Sequence, residues 1–424
     1  MKRVAKRWEL VRETAEAARR RYMAAARGEG DLPEGMDRAE AAKIAAELED
    51  GLRYMQEEPA LVEAGELDEA ELGDDYTSRH PVIGLVQGAI NLAAETGDAT
   101  AAKGAPGPEG AAEAEDVAAE PHFHFVDDFL HFLLVPKHPF IKHEHLDDFR
   151  FELPEQCRVA LVGDWGTGTP GQRDVARAIA AAQPQHVIHM GDVYPTGAKP
   201  EVDLYFIQVW QELGPPKARF WALNGNHEMY AKGTGYFEKI LPFCGQPASY
   251  FRLENRHWRL IGLDSSYDEY TLRPPQWKWL SPLLAESGPA NILLTHHQVF
   301  SALDGRPSRH KTEELGLGPA AVGGGVYGWF WGHEHNATIY ERAPQLGGMR
   351  GRCIGHGGKT ITLPASTTPR FPAPPIVRVW DAARDAKTAR NGFVLATFDG
   401  PKLHLDYRDE TGATWFAEDW TGTP

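Results

Sequence analysis

Asp164, Asp192, Asn226, His227, His296, His333 and His335 are the residues whose types and spacing could do chemistry. Each follows an apolar run closed by a short block. Val159-Ala160-Leu161-Val162 leads into Gly163-Asp164-Trp165-Gly166, and His186-Val187-Ile188-His189-Met190 into Gly191-Asp192-Val193-Tyr194. Phe220-Trp221-Ala222-Leu223 leads into Gly225-Asn226-His227-Glu228, Asn291-Ile292-Leu293-Leu294-Thr295 into His296-His297, and Val326 to Trp331 into Gly332-His333-Glu334-His335. One aspartate after a strand is usually an N-cap or a turn residue. A series drawn only from carboxylate, amide and imidazole is not explained that way. Such a mixed oxygen and nitrogen set, without thiolate, suits two divalent or trivalent ions such as Mn, Fe, Zn or Co and argues against a structural cysteine-rich zinc site.

The elements that must position these residues are legible in the same stretch. Short apolar runs closed by glycine read as buried strands of an α/β sheet, where ligands bind beyond the carboxyl ends. Asp174 to Ala182, ended by Pro184, supplies a helix between the first two strands and hence a parallel, right-handed crossover. Ser249 to Leu253 and His257 to Leu263 form a hairpin around Glu254-Asn255-Arg256, and Trp277, Leu280, Leu283 and Leu284 mark a core-facing helix. Phe393 to Phe398 and Leu403 to Tyr407 pair through Asp399-Gly400 at the edge of a second sheet. The polar stretch from Ser301 to Gly325 lies between two ligand blocks, so its Arg306, Arg309, His310 and Lys311 border the site, and Arg306 and Arg309 are candidates to clamp a phosphate. His356, in Gly355-His356-Gly357-Gly358, is a further candidate to approach the substrate.

The order of these blocks resembles the calcineurin-like metallophosphoesterase superfamily over roughly Arg158 to Gly358, and Gly166 places the chain nearer the purple acid phosphatase branch. The resemblance implies an α/β sandwich of two sheets flanked by helices and a pair of metals bridged by Asp192. One metal would take Asp164, Asp192 and His335; the other would take Asp192, Asn226, His296 and His333. His227 would face the phosphate. Purple acid phosphatases have a tyrosine three residues after the bridging aspartate, where this chain has Pro195, and Tyr194 comes one place early. Neighbouring residues of an extended segment point in opposite directions, so the expectation is that the first metal keeps three protein ligands only. Iron-loaded protein would then lack the visible band of a tyrosinate bound to ferric iron.

Around this core, residues 1–95 are expected to form a helical N-terminal region, 96–120 a flexible linker, 121–150 an aromatic docking segment, 151–410 the metallophosphoesterase domain and 411–424 a tail. Val4, Trp8, Val11, Ala15, Ala18 and Tyr22 recur at helical spacing, and the Lys and Arg on the other face read as a solvated face of a helix packed on its own protein, or as one suited to an anionic surface or a protein partner. Asp37 and Glu40 form a capping-box pair ahead of Ile44, Leu48, Leu52 and Met55, and Pro59 is expected to break or restart that helix. Thr96 to Glu120 is nearly all Ala, Gly, Glu, Pro and Asp, too poor in apolar area to order itself. His122-Phe123-His124-Phe125-Val126 alternates like a strand, and its histidines, with His131, His138, His143 and His145, read as packing or surface residues.

The chain has 424 residues, a formal net charge of −16 and three cysteines. The negative field disfavours nucleic acid and anionic membranes, while bound cations leave small phosphorylated substrates open. Three scattered cysteines do not make a disulfide framework, no run reaches a membrane span, and no apolar stretch follows the charged N-terminus, so cytoplasm is expected. The expected function is hydrolysis of a phosphate mono- or diester by a hydroxide held between two cations, with His227 as acid or phosphate ligand. The alternative is a non-catalytic interaction scaffold that keeps the fold.

Overall fold

The computed structural model describes residues 4–63, 77–95, 124–268, 270–303, 325–344, 347–363, 368–369 and 373–423. The expected linker, His122, Arg306, Arg309, His310 and Lys311 lie outside the described residues. Two mixed sheets flanked by helices, with a helical N-terminal part, make the α/β sandwich. The six-stranded sheet runs Thr414–Thr421, Lys402–Asp409, Gly392–Asp399, Gln156–Val162, His186–His189, Arg219–Ala222. The eight-stranded sheet includes Phe251–Glu254, Trp258–Gly262, Ala290–Thr295, Gly328–Trp331 and Met349–Ile354 in that order.

Strands buried on both faces alternate between two apolar layers. Leu161, Ile188 and Trp221 of the first sheet meet Leu260, Ile292 and Phe330 of the second between the sheets. Ala160, Val162, Val187 and Ala222 point the other way, toward Val175, Ala176 and Ile179 of the crossover helix Pro170–Ala182. That helix begins where Thr169 accepts a hydrogen bond from the Gln172 amide and Pro170 fills its first turn. The hairpin of Phe393 and Leu403 is present, but its Gly392–Asp399 strand pairs with Gln156–Val162 inside the first sheet. Thr414–Thr421, within the expected tail, supplies the edge strand there.

Helices α1 (Val4–Arg27), α2 (Arg38–Glu63) and α3 (Pro81–Glu95) pack together through Val11, Ala15, Ala18 and Tyr22, through Ile44, Leu48 and Met55, and through Val82, Ile83 and Val86. The capping box is formed: the Glu40 amide donates to Asp37 Oδ1 and the Asp37 amide to Glu40 Oε2, both at 2.9 Å. Pro59 does not end α2 but lies inside it. Part of the basic face of α1 is spent within the chain, on Arg19–Glu49 and Arg21–Asp127 ion pairs of 2.6 and 2.8 Å. The aromatic segment is helix α4 (His124–Leu130), not a strand. Val126, Phe129 and Leu130, spaced three and four apart, are its buried face, and helical spacing prevails over the local alternation because only a helix sends all three into the N-terminal core. That same core takes in Ala198 and Ala231, so the helices rest on the loops that carry the site.

Candidate metal centre

The strands Gln156–Val162, His186–His189 and Arg219–Ala222 run parallel, so Asp164, Asp192 and Asn226 emerge at one end of one sheet. Ala290–Thr295 and Gly328–Trp331 run parallel in the other sheet and bring His296, His333 and His335 to the same place. The chain turns sharply to aim them. Asp164, Asp192, His333 and His335 have φ of 54°, 76°, 68° and 47°, the left-handed region that residues with a Cβ rarely adopt. The strain is held by hydrogen bonds between the blocks: the His333 amide donates to Asp164 Oδ2 at 2.8 Å and the His227 amide to Asp192 Oδ1 at 3.1 Å. A Cβ on Gly225 would sit 2.1 Å from Asp192 Oδ1, and one on Gly332 2.5 Å from Asp164 Oδ2, so both carboxylates need a glycine beside them.

Two donor clusters result. In the first, the Tyr194 hydroxyl lies 2.9 Å from Asp164 Oδ1, 3.0 Å from Asp192 Oδ2 and 2.8 Å from His335 Nε2. This corrects the expectation that the first cluster keeps three donors. Neighbouring side chains point in opposite directions only along an extended segment, whereas the backbone after His186–His189 is a turn with a positive φ at Asp192. In the second, Asn226 Oδ1 is 2.9 Å from both His296 Nε2 and His333 Nδ1, which are 3.2 Å apart. Asp192 Oδ2 is also 3.3 Å from His296 Nε2, so one carboxylate oxygen faces both clusters.

The atoms in these clusters are mostly acceptors brought within contact distance, which is the arrangement a cation satisfies. His296 Nδ1 meets the Met190 carbonyl at 3.0 Å and can only donate there, leaving Nε2 as the lone pair. Asn226 Nδ2 donates to the Tyr230 hydroxyl at 3.0 Å, which turns Oδ1 inward. Burial pushes the Asp164 carboxyl up to about 7, with Asp192 adding to the rise. Burial, then Asp164 and Asp192, push the Tyr194 phenol well above its usual range. Burial opposes a charge on His296, yet Asp192, Asp164 and Glu228 together outweigh it and raise that ring to about 9. Oxygen ligands with excess negative charge, fully buried, fit hard or borderline cations and fit no thiolate-seeking one.

Around the clusters, Glu228 accepts from the amides of Asp192, Val193 and Gly225 at 3.2, 2.9 and 2.8 Å, and so ties two ligand loops together. His227 Nδ1 meets the Pro195 carbonyl at 2.6 Å, and Nε2 lies 3.9 Å from Asp192 Oδ2. Burial lowers the His227 ring to about 4. Tyr270, absent from the sequence reading, reaches His333 Nε2 at 3.0 Å across a long loop with no motif to mark it. His297, the second half of a visible doublet, has a nitrogen within 4.8 Å of nitrogens of both His296 and His333, and its Nδ1 is 3.1 Å from the Ser265 hydroxyl. His356 is a correction: its ring is fully buried against Trp380, 4.4 Å away, under Gly392, and it touches none of the donors. The glycines around it serve close packing and do not present the ring.

Residues 157–337 match the family described as calcineurin-like phosphoesterase. No curated protein matches the chain. Among solved structures, purple acid phosphatase from yellow lupin (Lupinus luteus) seeds has 17% identity and a TM-score of 0.47, covering 63% of this chain, which spans 55% of that enzyme's length. GAP50, described as the anchor in the inner membrane complex of Plasmodium, has 14% identity and a TM-score of 0.48, covering 63% of this chain and 90% of its own. PhoD has 14% identity and a TM-score of 0.40, covering 64% and 69%. No described helix is long and apolar enough to cross a membrane. The family match and the converging donors meet in the same residues: 157–337 are similar to the calcineurin-like phosphoesterase family, and Asp164, Asp192, Tyr194, Asn226, His296, His333 and His335 all fall within that stretch.

Proposed function

We propose that the chain hydrolyses a phosphate mono- or diester at a centre of two cations. Asp164, Asp192, Tyr194 and His335 would hold the first cation, and Asp192, Asn226, His296 and His333 the second. The observation that carries this reading is the position of Asp192 Oδ2, 3.0 Å from the Tyr194 hydroxyl and 3.3 Å from His296 Nε2. A single oxygen serving two buried donor sets is what a shared ligand requires. The cations, when bound, would supply Lewis acidity and an activated water.

The chain's own residues supply the rest. A water oxygen forms a new P–O bond in line with the ester oxygen, whose P–O bond breaks, and the departing alkoxide needs a proton. His227 keeps its ring proton on Nδ1 against the Pro195 carbonyl, so Nε2 takes the proton that the attacking water releases and passes it to the departing alkoxide. Glu228 keeps the Asp192 and Asn226 loops in register. The complete donor set supports turnover over the scaffold alternative. Cys157, Cys244 and Cys353 are buried and none is in a disulfide, which supports a reducing compartment such as the cytoplasm.

The test is elemental analysis of purified protein together with a screen of metals against phosphomonoester and diester substrates, on wild type and Asp192→Ala. Two ions per chain and metal-dependent turnover, both lost in the variant, are expected. Wild type that binds two ions and cleaves nothing would leave the scaffold reading in its place.

A further inference from the structure

The N-terminal region, which the family match does not cover, reaches the centre through Thr77 and Arg79 among its described residues. Thr77 Oγ1 accepts from Lys359 Nζ at 2.8 Å, and the Arg79 carbonyl accepts from the Tyr230 hydroxyl at 2.7 Å, which in turn receives Asn226 Nδ2. Lys359 is only 5% exposed. Its ammonium stands 5.1 Å from the centroid of the Tyr194 ring, on which His227 also packs at 4.4 Å. The charge of Lys359 is felt at His227, and that of Arg79 at His333. Two cationic residues therefore flank the place where His227 and the donor clusters face one another.

A buried ammonium is costly to desolvate, and an anion bound beside it offsets that cost. The chain's net charge of −16 repels an approaching anion, more strongly as the anion's charge grows. A phosphomonoester near neutral pH carries close to two charges and a diester one. We propose that Lys359, steadied by Thr77 and assisted by Arg79, recognises the second charge of a phosphomonoester dianion, so that the centre takes monoesters in preference to diesters. This rests on the phosphoesterase reading above. Lysine acts here as a point charge on a phosphate, and the N-terminal helices, by holding Thr77 and Arg79, become part of the substrate site.

The experiment uses the full chain, metal-loaded, as wild type, Lys359→Gln, Lys359→Arg, Thr77→Val and Arg79→Gln. It reads kcat/KM for 4-nitrophenyl phosphate and bis(4-nitrophenyl) phosphate, and calorimetric affinity for inorganic phosphate and dimethyl phosphate, which needs no turnover. Lys359→Gln is expected to lower the monoester-to-diester ratio about tenfold or more and to weaken inorganic phosphate binding alike, with dimethyl phosphate much less affected. Lys359→Arg should recover the greater part, and Thr77→Val and Arg79→Gln should fall between. Equal losses for both substrates, or phosphate affinity unchanged in Lys359→Gln, overturns the proposal. If Lys359→Gln does not fold, the Thr77→Val and Arg79→Gln ratios decide it in the same way. Wild type that cleaves neither ester overturns the hydrolase reading alone, because Lys359-dependent phosphate binding would still uphold this one.

Discussion

The two halves of the centre solve the same problem with different donors. The first gathers two carboxylates and a phenol with one imidazole, His335; the second gathers an amide oxygen and two imidazoles with a share of Asp192. Negative charge is concentrated on the first side, where burial and mutual repulsion raise both the Asp164 carboxyl and the Tyr194 phenol. The second side is nearly neutral apart from Asp192. The supports differ too: the first half is pinned by backbone contacts between ligand blocks, such as His333 amide to Asp164, whereas the second leans on side chains, Tyr230 against Asn226 and Tyr270 against His333.

Removing the residue both halves share has the largest expected effect. Asp192→Ala should lose both ions and all measurable turnover, a larger effect than the about 10–100-fold typical of losing a supporting partner. Loss of one ion only, by elemental analysis, would mean Asp192 serves one half. His227→Ala comes next, with turnover down by about 10²–10⁴-fold and metal content kept, since its partner is the phosphate. Stripped metal in that variant would assign His227 to the ligand set.

Two tyrosines sharpen the comparison. Tyr194→Phe should weaken the first ion by about tenfold or more, so that dialysis against a weak chelator leaves one ion per chain. Iron-loaded wild type should show a visible charge-transfer band that Tyr194→Phe lacks; a wild type without the band would return the first half to three donors. Tyr270→Phe should instead loosen the second ion by about 10-fold, because His333 loses the partner that orients its ring.

The smallest effect lies outside the centre and tells packing histidines from functional ones. Burial lowers His356 to about 3. A depressed folded value means the unfolded chain binds the extra proton first, so the stabilising contribution is complete above about 6.5 and is lost as pH falls toward 3. Between pH 7.5 and pH 5 this amounts to about 2 kcal/mol. His356→Leu should show a correspondingly smaller drop in Tm over that range, with kcat/KM at neutral pH little changed. An unaltered pH slope would remove His356 from the account of acid sensitivity.

Where side-chain type and local period carry the information, the reading from residues holds. The capping box at Asp37 and Glu40, the buried stripe of α1 and the strand ends before Asp164, Asp192, Asn226, His296 and His333 all depend on contacts or periods of a few residues. It fails where one local rule competes with a distant one. The described part of the alternating run His122 to Val126, from His124 on, opens a helix because α3 and Ala198 offer a core to the three-four spacing of Val126, Phe129 and Leu130. Pro59 stays inside α2 although it removes a hydrogen bond, against the local rule that proline stops a helix.

The donor inventory is written in the chain: which donors exist, that they follow buried strands, and that no cysteine stands among them. Strand periodicity and closing glycines suffice for that, because both are written in neighbouring residues. The tertiary structure alone decided which donors meet. It brought Tyr194 to Asp164 by a turn that no spacing rule describes, brought Tyr270 to His333, withdrew His356 into packing against Trp380, and joined Thr77 to Lys359 across 282 positions. Such meetings are fixed by how two sheets and an outlying helical layer close on one another, and that closure is set by the apolar faces between them and not by the residues that happen to meet at its rim.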